Sequence, residues 1–361
     1  MAATDKITPY SSKDREQKPS KRLEFVDLAK GVCILLVVIR HCQADVPIPG
    51  FDMMRMPLYF ILSGLFFKDY GGFLAFAIKK TNKILIPFCF FYLLSYIPFY
   101  LISYLKPELI VTQAKGLLDV FDNRVLFNGP IWFLLCLFWT NIIFCLVKLY
   151  VSTEYLRGVI VLSIGLLGIL LGDREIFLPC FIDVGMSALP YFYFGYLLTK
   201  TDLLYPNKYD KYNLLIAAGL YLVTYTLTYV FDNPNMYFRD NIMYGSIIVN
   251  YVGSFSCVIA ILLLCKQIGR LPFVSFCGRY SIILLCLHHL ILRPLILGFK
   301  MIGVSQNWVI AIATIAITAA LIPPCIRIIP MFTAQRDLIK PKVRQHQPEH
   351  PKTPACHGSF I

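Results

Sequence analysis

A small set of ionisable side chains lies inside or beside long apolar runs: Lys30, His41, Arg55, His288, His289 and Arg293, with Asp27 and Arg40 near the run ends. An ionisable group inside a bilayer costs at least a few kcal/mol, so each is a candidate for function. A neutral imidazole can take a proton near neutral pH, and a nearby cation can stabilise negative charge as it develops. Lys30 and His41 are eleven residues apart. On a helix that is about three turns plus 20°, so both leave one face, ~16 Å apart along the axis. Simpler readings exist for each. Lys30 can snorkel to the interface, His41 can end a helix in water, and one histidine of the adjacent pair can bond a neighbouring helix.

The elements that position these residues follow from composition. The 361 residues are 57% hydrophobic and only 15% charged, and the mean hydropathy is +0.65. A soluble domain carries about 25% charged residues. A disordered chain and an ordinary soluble enzyme are therefore excluded. The formal charge of +13 does not point to nucleic acid, because the basic residues sit in short loops between apolar runs. A spanning helix needs about 20 mostly apolar residues. The runs 25–42, 51–67, 84–105, 131–147, 156–172, 181–199, 213–231, 246–265, 272–298 and 307–329 meet or approach that length. The expected fold is all-α, a polytopic membrane protein with about ten transmembrane helices. With the N-terminus inside, the inner segments hold roughly four times as many Lys and Arg as the outer loops, so both termini are expected to be cytoplasmic.

Three regions are expected: a basic cytoplasmic tail at 1–22, a membrane domain at 23–330 and a disordered tail at 331–361 that is rich in proline and charge. No cleavable signal peptide is expected. Most of the 12 cysteines lie in apolar runs without a CxxC pair, which reads as small buried hydrophobes and not as metal ligands or disulfides. His346, His350, Cys356 and His357 read as a solvated tail in preference to a metal site. No metal is expected. The topology also sets depths. His41 is expected ~24 Å from the start of its run and Arg55 ~6 Å below the outer edge. His288, counted from Pro272, is expected ~22 Å up. All three then share a layer on the outer side of the midplane. His288 and His289 diverge by about 100°, so one of them is expected to face it.

Several landmarks resemble one family. Val26-Asp27-Leu28-Ala29-Lys30-Gly31, continuing to Val37-Val38-Ile39-Arg40-His41, is similar to the opening of the acyltransferase-3 family of integral membrane acyltransferases. That opening carries Arg or Lys, ten residues, then His. Met56-Pro57-Leu58-Tyr59-Phe60-Ile61-Leu62-Ser63-Gly64-Leu65 resembles the second-span element, and Lys79-Lys80-Thr81-Asn82-Lys83-Ile84-Leu85-Ile86-Pro87 the basic loop before the third span. Gly129-Pro130-Ile131-Trp132-Phe133-Leu134 and Gly278-Arg279-Tyr280-Ser281 match later landmarks, in order. The wording is nearest the sugar O-acetylase branch of the fucose type. That branch often has His where this chain has Arg55.

The resemblance implies a multi-pass protein of the cell (plasma or inner) membrane. It implies an O-acyltransferase, acetyl-CoA-dependent, that moves an acetyl or other acyl group to a hydroxyl of a cell-surface glycan or lipid-linked sugar. Acyl-CoA is then a donor substrate, with no permanently bound cofactor. The implied catalytic set is His41 as general base, Arg55 as oxyanion stabiliser, His288 as an orienting group, and Lys30, which sits deep for a direct role. Lys79, Lys80 and Lys83 are the expected donor-phosphate ligands, against the plain reading of positive-inside charge. Ser63-Gly64 reads as close helix packing. Membrane lipid is an expected partner, nucleic acid is not, and a homo-oligomer is left open. The competing reading is a glycolipid or small-anion transporter or flippase using the same polar cavity. A transporter usually places an acidic coupling residue at mid-depth, and the runs lack one.

Overall fold

The computed structural model describes residues 23–105, 116–125, 127–232 and 234–340. The basic segment 1–22, the lysines Lys106 and Lys115, and the stretch 341–361 with His346, His350, Cys356 and His357 lie outside the described residues.

Thirteen α-helices and one β-hairpin make up the described fold. Seven segments are long and apolar enough to cross a membrane: Phe73–Ile102, Gly129–Tyr150, Glu154–Asp173, Asp210–Val230, Ile247–Ile268, Ser281–Met301 and Asn307–Ile328. The pair Pro179–Ser187 and Leu189–Leu198, bent by 52°, makes eight if it is one broken span. Leu93, Ile97, Leu162, Leu166, Leu215 and Ile312 on these helices face outward. An apolar exterior of that extent suits lipid and not water.

Helices α1 (Glu24–His41) and α2 (Asp52–Leu65) fall outside that set. Helix α1 carries Glu24, Asp27, Lys30 and Arg40, and α2 has 14 residues, about 21 Å. Both lie within the bundle. Helix α1 packs on α2, and also on α10 (Ile247–Ile268), α11 (Pro272–Arg279), α12 (Ser281–Met301) and α13 (Asn307–Ile328). A helix enclosed by protein can keep charges that a lipid-facing helix cannot.

Glycines set the closest packing. A Cβ on Gly31 would lie 1.9 Å from the Val274 carbonyl oxygen, and one on Gly278 would lie 1.8 Å from that of Asp27. Helix α11 therefore packs on α1 backbone against backbone, and the pairings Arg270 with Glu24, Gly278 with Gly31 and His288 with His41 show that the chain runs here in the same direction as α1. The same device joins α2 to α8 (Leu189–Leu198), through Gly64 on Phe192 and Gly195 on Ile61. This agrees with the packing reading of Ser63-Gly64. Ion pairs finish the α1–α11 end: Glu24 with Arg279 at 3.0 Å and with Arg270 at 3.5 Å, and Asp27 with Arg279 at 3.6 Å.

The run expected at 272–298 forms two helices. The helix is interrupted at Tyr280 (φ −112°, ψ 28°), and α12 starts at Ser281 and continues along α1. His288 is about 10 Å up its own helix and touches His41, which ends α1 about 25 Å from Glu24. The two histidines therefore share one level along α1.

Two other expectations change. The residues read as a basic loop before the third span are helical. They form the end of α3 (Phe73–Lys80) and a π-turn, Thr81–Leu85, that runs into α4 (Ile86–Leu105). Residues 331–340, expected to be disordered, are folded against that turn. Asn82, 1% exposed, accepts from the backbone N–H groups of Leu338 and Ile339, both at 2.8 Å, and Phe332 stacks on Phe90 at 4.2 Å. Composition missed this because the anchor is a buried asparagine some 250 residues away.

The hairpin β1 (Asn235–Tyr237) and β2 (Ile242–Tyr244) closes around a short turn, Phe238–Asp240. Buried Asn241, at φ +53°, roots it. Its amide donates to the Gly168 carbonyl at 2.9 Å and to Asp183 at 3.1 Å, and its oxygen accepts from Ser187 Oγ at 2.7 Å.

Candidate active site

Three imidazoles meet inside the bundle. His41 ends α1, while His288 and His289 sit in the second turn of α12. The His41 ring lies 5.2 Å from that of His288 and 5.7 Å from that of His289, centroid to centroid. The two α12 rings are 6.1 Å apart. The expectation that only one of the pair would face the site is corrected. Although adjacent residues diverge, both rings reach the end of α1, which stops between them.

The rings differ in access. His41 is exposed, whereas His288 is fully buried. His288 Nδ1 lies 2.8 Å from the Leu284 carbonyl oxygen. A carbonyl only accepts, so Nδ1 carries a proton and donates it there. In the neutral ring Nε2 then holds the lone pair. His288 Nε2 and His289 Nδ1 are buried without a hydrogen-bond partner among the described residues. Asn128 Oδ1 is a third such atom. The Asn128 amide donates to the Cys286 carbonyl at 2.8 Å and to Ser95 Oγ at 3.0 Å, one helical turn below His289. Next in the chain, Gly129 lies against the ring: a Cβ there would sit 3.9 Å from His289 Cε1. Buried polar atoms are normally paired, so three orphans on two facing elements point to a substrate group that pairs with them.

Guanidinium groups surround the cluster. Arg40, Arg55 and Arg239 all act electrostatically on His41, and Arg239 and Arg293 act on His289. Arg55 is ion-paired to Asp52, one turn earlier on α2, and its carbonyl accepts from Cys33 Sγ at 2.9 Å. Arg239 comes from the hairpin turn. Its flanking residues are fixed, Phe238 by ring contacts with Phe60 at 5.5 Å and Tyr191 at 5.8 Å, and Asn241 by the bonds above. Sequence reasoning placed Arg239 in an outer loop and gave it no role, because only the tertiary fold brings its charge near His41. His289 was underrated for a local reason, and the i, i+4 spacing to Arg293 was the available signal.

Lys30 is not brought to this cluster. Its ammonium lies 5.9 Å from the centre of the Phe66 ring, and its carbonyl accepts from the Tyr59 hydroxyl at 3.1 Å. Eleven residues of rigid helix keep it ~16 Å from His41 along the axis. The three lysines expected at the donor phosphates also separate. Lys79 pairs with Asp337 at 2.7 Å and Lys83 with the same carboxylate at 3.2 Å. Lys80 instead lies over the Phe76 ring at 5.2 Å. Among the described residues no group of three or more His, Cys, Asp or Glu could hold a metal ion.

A multi-pass helical bundle with imidazoles and guanidinium groups gathered in its interior is a membrane protein built around a polar reaction site. The chain belongs to the acyltransferase-3 family: the family model, described as an acyltransferase domain, matches residues 23–326. No curated protein and no solved structure matches the chain. The protein is therefore a membrane acyltransferase, as the motifs anticipated, and nothing observed favours the transporter reading.

Proposed function

We propose that this acyltransferase moves an acetyl or related acyl group from acyl-CoA to a hydroxyl of a cell-surface glycan or lipid-linked sugar. The observation that carries the reading is the contact of exposed His41 with buried His288 under a ring of arginines. His41 is the general base. As the acceptor oxygen attacks the thioester carbonyl, its proton passes to the imidazole. The carbonyl becomes an oxyanion, which Arg55 and Arg239 stabilise. Collapse breaks the carbon–sulfur bond, and the proton on His41 goes to the departing thiolate. His288, bonded to Leu284, offers Nε2 to orient the acceptor or the His41 ring.

The surroundings support a two-sided arrangement. Counting α1 and α2 as crossings gives ten spans, with both termini at the cytoplasmic face of the cell membrane. His41, the last residue of α1, then places the imidazoles toward the outer side, where the acceptor approaches, and the donor reaches them from the cytoplasmic side. A cleft of about 340 Å³ lies at the hairpin end, lined in part by Asp52, Asp232, Asn235, Tyr237 and Tyr244. Exposed aromatic faces beside carboxylates and an amide suit a polyhydroxylated acceptor. Labelled acetyl-CoA supplied to membranes containing the protein should label a glycan or glycolipid fraction. Membranes that show no acyl-CoA-dependent transfer to any hydroxyl acceptor would refute the reading.

A further inference from the structure

The second cavity, about 540 Å³, lies at the opposite end of the fold from the imidazoles. Two elements distant in sequence build it. The π-turn gives Lys79 and Lys83, and the C-terminal strap 331–340 gives Gln335, Arg336, Asp337 and Lys340. Four cations thus face one carboxylate. Asp337 straddles the two lysines, with Oδ2 on Lys79 at 2.7 Å and Oδ1 on Lys83 at 3.2 Å. Two oxygens of one anion bridged by two ammonium groups is also how a phosphate would sit there.

The strap is held independently of that bridge. Asn82 uses its whole amide: its oxygen accepts the Leu338 and Ile339 N–H groups, and its nitrogen donates to the Ile339 and Ile78 carbonyls at 2.8 and 3.0 Å. Lys83 also donates to the Ala334 carbonyl at 2.6 Å. Asp337 can therefore leave the lysines while the strap stays in place. With it bound, the cavity keeps an excess of three positive charges, which only a multiply charged anion would neutralise.

We propose that the strap completes a diphosphate-binding site, in which Lys79, Lys83, Arg336 and Lys340 hold a phosphate-rich anion and Asp337 is the internal anion it displaces. The proposal rests on the reading of the chain as an acyl-CoA-dependent transferase in one respect: it names the residues that would take the donor's diphosphate. Lys80, turned to Phe76, has no part in it. Phosphate chemistry is shared by the donor nucleotide and by anionic lipid headgroups, and the test separates them.

The full chain, in nanodiscs of zwitterionic lipid, is titrated with inorganic pyrophosphate and with CoA. Wild type should bind both, with CoA displacing pyrophosphate. Arg336→Gln with Lys340→Gln should weaken pyrophosphate about tenfold or more, and Arg336→Lys with Lys340→Arg should restore most of it. Asp337→Asn should tighten pyrophosphate several-fold, because it removes a competing anion and keeps the side-chain shape. Melting temperatures serve as folding controls. Pyrophosphate displaced by phosphatidic acid in the nanodisc and not by CoA would keep the phosphate site but assign it to lipid. Equal affinity for wild type and the Arg336/Lys340 glutamine pair would overturn the proposal, as would weaker binding by Asp337→Asn. These titrations do not depend on acyl transfer, so their failure is distinct from failure of the proposed activity.

Discussion

Gly31→Ala should lower acyl transfer by about 10²-fold without disturbing the inner cavity. The magnitude follows from the α1–α11 contact. The new methyl would lie 1.9 Å from the Val274 carbonyl oxygen and 2.7 Å from its carbon. Ordinary contact for those atoms is about 3.4 Å or more, so α11 must retreat by roughly 1.5 Å. The obstacle is backbone, so no side-chain rotation relieves it. Helix α11 leads through Tyr280 directly into α12, which carries His288 and His289. The retreat is transmitted to the contact of 5.2 Å between His41 and His288. A misplacement of ~1 Å in a catalytic constellation costs about 10² in rate. Overpacking of this kind also destabilises by about 1–3 kcal/mol. The assay is acetyl transfer from labelled acetyl-CoA by purified protein in nanodiscs, with pyrophosphate affinity measured on the same sample. Gly219→Ala is the control, since its Cβ would meet nothing within 4 Å, and it should be neutral or slightly stabilising. Wild-type transfer by a folded Gly31→Ala protein would refute the claim that the α1–α11 contact sets the geometry of the imidazoles.

Three further outcomes are expected. Arg239→Ala should reduce turnover at saturating donor and leave CoA affinity unchanged, with Arg239→Lys recovering part of the loss; a change in CoA affinity alone would move Arg239 out of the site. The Lys79 bond holds the Asp337 carboxyl below the ordinary carboxylate range. A depressed folded pKa stabilises above the unfolded value of ~3.9 and is lost as pH falls through the folded one. The carboxyl carbon shift of Asp337 should therefore be flat from neutral pH to about 5 and move only below about 4, and a midpoint near pH 6 would contradict the pairing. Cysteines placed at Lys208 and Asp232 should label from opposite sides of the membrane, the first from the cytoplasm; labelling from one side would break the ten-span arrangement.

Much of the fold was legible in the sequence because apolar runs of spanning length have few alternatives. The site was legible in part. His41 and His288 stood out as ionisable groups in apolar surroundings, and that signal survives in the contact between their rings. What escaped the reading depends on tertiary contacts. The run 272–298 carries no proline at Tyr280 to announce the break between its two helices, and Arg279 beside it is held by Glu24 and Asp27 from the far end of the chain. Arg239 looked like a loop cation until Asn241 rooted the hairpin. The strap read as a tail because prolines and charges dominate 331–361, while the residues that hold it, Asn82 and Phe90, belong to α4 and its π-turn.

The central claim is that His41 acts as the base in acyl transfer. The most direct test is the rate of acetyl transfer from labelled acetyl-CoA by His41→Gln, in membranes matched for inserted protein and with CoA binding verified. Glutamine keeps much of the size and polarity of the imidazole but cannot take the proton. A loss of about 10²–10⁴-fold with intact CoA binding is the predicted result. Transfer near the wild-type rate would contradict the account and shift the role of base to His288.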